Sequence, residues 1–296
     1  MPEQSFRSGF VSLVGRPNVG KSTLLNAFMG RKVAITSWQP QTTRNAIRGV
    51  LTGVDWQIVF VDTPGLHKPK TLLGERLNDV VRRTLREVDA VVFMLDATQP
   101  VGSGDAFVAA RVLESGTPAV CVVNKVDAVK KVTLLPQLQA ADALGDWREI
   151  VPISARTGAN VPELQSLLTA VLEPGPRFYP EGITTDQPQD VLIGEIVREK
   201  ALRLTRQELP HSIAVVAEIV PDRDDEITEI DATIYVERDS QKGIVIGKRG
   251  AMLKEIGTRA RHELEWILGT KVYLRLTVKV AKDWQRDARA LERLGY

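Results

Sequence analysis

Cysteine is almost missing from this chain of 296 residues: Cys121 stands alone, so no internal disulfide can form and the folded state must rest on its cores. It lies in the apolar run "AVCVV", which predicts a buried strand thiol and not a nucleophile, and the cytosol is the default compartment. Long hydrophobic runs are also lacking. None approaches the roughly 20 apolar residues that cross a bilayer, and the N-terminus has no charged stretch leading into an apolar core, so a soluble protein is expected. Net charge is scarce at +2, but its distribution is uneven. Residues 191–241 hold 6 Lys/Arg against 12 Asp/Glu, whereas residues 242–296 hold 13 against 6 and so carry +7. A basic tail of this kind suits phosphate binding, although a solvated helix face would give the same count.

What is present supports two domains: hydrophobic residues make up 43% of the chain, enough for two ordinary cores. Up to about residue 173, short apolar runs ("FVSLV", "QIVFVD", "AVVFMLD", "AVCVVN", "EIVPIS") alternate with amphipathic stretches, which predicts an α/β domain with a mostly parallel sheet over residues 1–173. Residues 174–189 lie in a stretch rich in proline and glycine without periodicity and are read as a linker. From residue 190 to 296 the expected order is α-β-β-α-β with a basic terminal helix, a smaller α+β domain.

The run "GRPNVGKST" matches Gly-x-x-x-x-Gly-Lys-Ser at Gly15, Gly20, Lys21 and Ser22, after an apolar strand and before a helical pattern. A loop wrapping a polyphosphate needs residues without Cβ where backbone nears oxygen, inward N–H groups and a helix N-terminus. Lys21 then reaches the β and γ phosphates, and the Ser22 hydroxyl is a ligand of the bridging Mg2+, with Val19 and Thr23 completing the loop's contacts. "VDTPGLH" sets Asp62 and Gly65 at a strand end as a γ-phosphate sensor, an element that ordinary turn chemistry would also explain. Asn124, Lys125 and Asp127 in "NKVD" point to guanine, because the Asp127 carboxylate accepts from N1–H and the 2-amino group, which adenine lacks. Ser154 and Ala155 end the next strand, where a backbone N–H can donate to guanine O6. Each element falls at the tip of a successive strand, where open α/β sheets bind ligands. Between the first helix and second strand, "SWQPQTTRNAI" offers a threonine for the Mg2+ shell; spacing leaves Thr42 and Thr43 both open. Farther on, "IVIGKRG" carries Gly247, Lys248, Arg249 and Gly250 in the Gly-x-x-Gly pattern that grips single-stranded RNA, with Ile244 and Ile246 as groove or core residues. Lys254, Arg259, Arg261, Lys282, Arg286, Arg289 and Arg293 are candidates to extend that footprint, and Trp266 and Trp284 are expected to pack a helix on a sheet.

Together with "QTTR" and "RFYPEGITTDQP" before "GEIVREKALRLTRQELPHSIAV", these words resemble the Era-like subfamily of the translation-factor-related P-loop GTPases, which end in a type II KH domain. The resemblance spans nearly the whole chain. It implies a GTP-hydrolysing switch, with GTP/GDP and Mg2+ bound, that controls a grip on the 3′ region of 16S ribosomal RNA during assembly of the 30S subunit. It favours Thr43, which with Lys21 forms the candidate catalytic pair, and it likens Asn18 to the asparagine that binds K+ in potassium-activated GTPases. It implies a cytoplasmic monomer with peripheral contact at the inner membrane. Leu66 stands where Ras-type enzymes carry a water-orienting glutamine, and an aliphatic side chain cannot orient water, so slow hydrolysis is expected. His67 beside it is weighed as a base and ranked below an exposed loop histidine. The rival reading, a constitutive RNA-binding module with a structural nucleotide that is never turned over, draws on that missing glutamine. A P-loop nucleotide kinase is disfavoured, because "NKVD" reads a base and no lid is legible.

Overall fold

The computed structural model describes residues 6–36, 43, 44, 46–66, 69, 71–205, 209, 213–220 and 227–296. Two compact units form, with their main boundary between Asp186 and Gln187.

The first unit is a six-stranded sheet in the order β2-β3-β1-β4-β5-β6. Its strands are β1 (Arg7–Gly15), β2 (Ile47–Thr52), β3 (Trp56–Asp62), β4 (Ala90–Asp96), β5 (Ala119–Asn124) and β6 (Ile150–Pro152). Only the β2–β3 pair is antiparallel. Between them run α1 (Lys21–Met29), α2 (Leu72–Glu87), α3 (Ser103–Glu114) and α4 (Lys131–Asp142), and α5 (Val161–Val171) follows β6. The unbroken apolar runs follow from helices on both faces. Val92 and Met94 of β4 join Leu24, Leu25 and Phe28 of α1 and Leu164 and Leu168 of α5 in one core, while Val91, Phe93 and Leu95 join Val81, Val108 and Val112 of α2 and α3 in another. Cys121 is fully buried in the second core, and burial pushes its thiol up to about 12, as expected for an inert strand cysteine. Strand β2 was not expected from the sequence: Arg48 and Gly49 interrupt its apolar pattern, and it lies at the sheet's border.

The proline-rich stretch read as a linker is tied to this unit instead. Ser8 Oγ donates to Pro176 O, the Val50 amide donates to Thr184 O on the outer side of β2, and Asp186 takes Arg48 and the Tyr179 hydroxyl. Gln57, fully buried, accepts from the amides of Phe178 and Tyr179 and donates to Tyr179 O and Thr52 Oγ1, so all four of its bonds are made. Phe178 packs on Phe10 at 4.9 Å between ring centres.

The second unit has α6 (Gln189–Leu204), β7 (Ala214–Val220), β8 (Ile227–Val236), α7 (Asp239–Ile246), α8 (Ala251–Leu268), β9 (Lys271–Val280) and α9 (Ala288–Arg293). Its sheet is β7-β8-β9, antiparallel then parallel. Ile230, Ala232, Ile234 and Val236 of β8 alternate inward against Ile193, Ile196 and Val197 of α6 and Ile256, Ala260 and Leu264 of α8. The order departs from the expected one by α7: "GIVI" reads as an apolar approach to the loop, but Gln241 bonds the amides of Glu237 and Arg238 and starts a helix there. Trp284 is buried as expected; Trp266, expected to pack, is 74% exposed on α8 because it falls on the face opposite Ile256, Ala260 and Leu264.

Candidate nucleotide site and nucleic-acid groove

Strand β1 ends at Gly15 and α1 begins at Lys21, so the loop between them presents the helix's first amides toward the strand tips. Gly20 has φ +107°, and a Cβ there would lie 2.2 Å from Asn124 Nδ2; only glycine permits both the conformation and the approach. Lys21 Nζ donates to the carbonyls of Gly15 (3.2 Å) and Arg16 (3.1 Å). Burial pulls this ammonium down to about 8, against the opposing charge of Asp62. A desolvated cation at a helix N-terminus suits a polyphosphate. A Cβ on Gly65 would come within 2.8 Å of Pro17 N, so the Asp62–Gly65 segment and the phosphate loop almost touch.

Below the loop three oxygen-bearing side chains meet. Ser22 Oγ donates to Asp62 Oδ2 at 2.6 Å, Thr43 Oγ1 donates to the same oxygen at 3.1 Å, and the two hydroxyls are 3.0 Å apart. Burial raises the Asp62 carboxyl, with Lys21 and the two hydroxyls opposing, and its Oδ1 is buried without a hydrogen-bond partner. Hard oxygens with one orphaned carboxylate atom fit Mg2+, which takes few protein ligands and completes its octahedron with phosphate oxygens and water. Among the described residues no group of three His, Cys, Asp or Glu could hold a metal alone. Thr42 and His67 lie outside the described residues, so the structure places Thr43 at this cluster without a comparison to its neighbour. Leu66 is buried in the core with Val14 and Val81.

At the tips of β5 and β6 the elements that the sequence suggests for base reading come together. Asn124 Nδ2 donates to Val19 O at 2.8 Å and its Oδ1 accepts from Ala155 N at 2.9 Å, locking the phosphate loop to the "SA" turn. Asp127 accepts from Ser154 Oγ at 2.6 Å and pairs with Arg156 at 2.7 Å. The Ser154 bond, then the Arg156 charge against a desolvation that opposes both, holds its carboxyl below the usual range, so it is ionised and can accept a pair of N–H groups. Lys125 Nζ donates to Asn18 O at 2.8 Å and to Asp96 Oδ2 at 2.5 Å. Asn18 itself turns at φ +67°, and its carbonyl is engaged by Lys125. Asp96 escaped the sequence reading, although a carboxylate at the tip of a central strand was the available signal.

In the second unit the Gly247–Gly250 loop joins α7 to α8, with φ +71° at Gly247, +51° at Arg249 and +79° at Gly250. Lys248 and Arg249 are exposed. Beside Gly250 opens a cavity of about 410 Å³ lined by Leu253, Lys254, Gly257, Arg261, Leu274 and Leu276: an apolar trough with two cations, suited to a base and its phosphates. Gly257 leaves it open, as a Cβ would press to 3.3 Å from Leu276. Ile244 and Ile246 are half-buried and pack on the unit's core. Arg259 pairs with Glu255 and lines a different cavity, and Lys282, Arg286, Arg289 and Arg293 are all exposed. The groove's Leu253, Gly257, Leu274 and Leu276 were missed, since apolar residues at helix and strand spacing read as core.

Residues 10–125 match the 50S ribosome-binding GTPase family and residues 208–285 match the KH domain. A GTPase Era from Mycolicibacterium paratuberculosis is 54% identical, with 98% of this chain and 99% of that protein covered, and the GTPase Era of Mycobacterium tuberculosis is likewise 54% identical over 98% of this chain. Among solved structures, Era in complex with MgGDPNP and nucleotides 1506–1542 of 16S ribosomal RNA superposes with a TM-score of 0.95 at 42% identity, covering 98% of this chain and 99% of that one. A single-residue variant of Aquifex aeolicus Era bound to GDP and AlF4⁻ gives 0.94 at 42% identity and the same coverage.

Proposed function

For a chain that belongs to the Era family of GTPases, we propose a switch in which the state of the guanine nucleotide governs how the KH unit grips single-stranded RNA, the RNA being the 3′ region of 16S ribosomal RNA in a 30S precursor. The observation that carries it is the joint at Asn124: one amide bonds both the phosphate loop, through Val19 O, and the guanine turn, through Ala155 N. Gly15, Val19, Gly20, Lys21, Ser22 and Thr23 cradle the phosphates, with Asp62 and Gly65 beside the γ phosphate, and Asn124, Lys125, Asp127, Ser154 and Ala155 hold the base. Ser22 and Thr43 would hold Mg2+, which would supply positive charge to the phosphate oxygens. Lys21 supplies positive charge to the same oxygens. With Leu66 turned into the core, no side chain at that position orients water; K+ held at Asn18 would supply additional positive charge.

Lys248 and Arg249 meet RNA phosphates while bases enter the trough between α8 and β9; Gly247 and Gly250 let the backbone approach, and Ile244 and Ile246 support it from behind. The protein acts as a monomer in the cytoplasm, and its basic tail makes peripheral contact with the anionic inner membrane. No helix among the described residues is long and apolar enough to cross a membrane. Phosphate release over many turnovers from GTP by the pure protein, with Mg2+ and with or without the RNA, tests the switch: release that stops at one equivalent supports instead the RNA-binding module with a structural nucleotide.

A further inference from the structure

The carboxylate of Asp96 ends β4 and is nearly buried, outside every motif of the nucleotide site. Its Oδ1 accepts from the amide and hydroxyl of Thr98, at 2.9 and 2.6 Å, which fixes the carboxylate in the turn. Its Oδ2 is thereby turned to the ammonium of Lys125, whose other partner is Asn18 O in the phosphate loop. Lys125 sits at φ +68°, and the β4 tip is bound to the residue before it, since the Ala97 amide donates to Asn124 O at 2.9 Å.

We propose that Asp96 is a positioning residue of the guanine site: by holding the Lys125 ammonium against Asn18 O, it stretches the methylene stem of Lys125 into a wall between the base edge at Asp127 and the phosphate loop. A lysine stem carries large rotamer entropy and its ammonium is strongly hydrated, so one bond to a neutral carbonyl does not hold it. A charged, immobile acceptor does. The apolar stem, pinned at both ends, is then a preformed surface for a purine face, and the nucleotide meets it without first ordering it. The rival view, that Asp96 merely caps the turn through Thr98, predicts a different response to a single atom change. In Asp96→Asn the Oδ1 cap survives, while an N–H2 group replaces the acceptor facing Lys125.

The inference rests on the guanine-site reading, and the test separates the two. GDP affinity is measured by calorimetry for the whole chain in the wild type, Asp96→Asn, Lys125→Met, the double variant and Asp127→Asn. Asp96→Asn should weaken GDP about tenfold, and in the Lys125→Met background it should add nothing, because its effect passes through the ammonium. Wild-type affinity in Asp96→Asn, or a full additional loss in the double variant, overturns the proposal while Asp127→Asn still loses GDP. If Asp127→Asn also keeps its affinity, the guanine site itself has been misread and the proposal falls with it. Should Asp96→Asn not fold, Asp96→Ser enters the same cycle; if neither folds, Asp96 belongs to the fold and the positioning role is refuted.

Discussion

Replacing Gly20 by alanine adds one methyl group at the point where the two halves of the nucleotide site are joined. The new carbon would lie 2.2 Å from Asn124 Nδ2, so Asn124 must leave, and it is 2% exposed with both ends of its amide engaged. Left-handed backbone in alanine costs about 1–2 kcal/mol. Val19 O and Ala155 N lose their partner, and each buried group left unpaired costs about 1–3 kcal/mol. The total is therefore at least about 3 kcal/mol, divided between stability and nucleotide binding, or more than about a hundredfold when expressed as an equilibrium constant. Gly30 supplies the control: it too has positive φ (+61°), but a Cβ placed there would meet nothing within 4 Å, so Gly30→Ala should show only the backbone cost. Thermal melts and GDP titrations of both variants measure the two shares. The reasoning is refuted if Gly20→Ala matches Gly30→Ala in both midpoint and affinity.

In Asp127→Asn an amide N–H2 faces guanine's own donor, so GTP affinity should fall at least about tenfold while XTP, with a carbonyl there, gains; a folded variant that keeps its GTP preference removes the guanine reading. Lys248→Asp with Arg249→Asp should abolish binding of a single-stranded 16S 3′ oligonucleotide in a gel-shift assay and leave intrinsic GTP hydrolysis intact, since the loop lies in the other unit; retained RNA affinity would reduce it to an ordinary turn. Hydrolysis should run faster in K+ than in Na+ at equal ionic strength, and equal phosphate-release rates in the two salts would remove the ion from Asn18. Because burial holds the Cys121 thiol up at about 12, a thiol reagent at pH 8 should leave the native chain unlabelled and react only in denaturant, where the thiol regains its ordinary acidity; rapid native labelling would contradict its buried placement.

The central strands were legible because burial on both faces demands unbroken apolar runs, and the elements read for phosphate and guanine, which the fold brings to neighbouring strand tips, because such chemistry fixes both residue type and spacing. Strand β2 was not, since Arg48 and Gly49 are tolerated only where a strand borders the sheet. Helix α7 was hidden by Ile244, Val245 and Ile246, whose β-branched run favours a strand until the Gln241 cap bonds are counted. Trp266 was misplaced because size suggests burial, while the helical period assigns it to solvent. Gln57 lay beyond reach for another reason: the amides it accepts from are 121 and 122 residues away, and no local pattern records such a pairing.

The bound course of residues 174–186 alters how the molecule can be divided. Cutting after Glu173 would leave Val50 N without Thr184 O and strip three of the four partners from buried Gln57, exposing a bare strand edge beside an orphaned amide. Such an edge is a template for a second copy of the same fragment, and the truncated piece should aggregate. A nucleotide-binding fragment that stays dispersed has to run through Asp186, which makes the proline-rich segment the seal of one domain more than the tether between two.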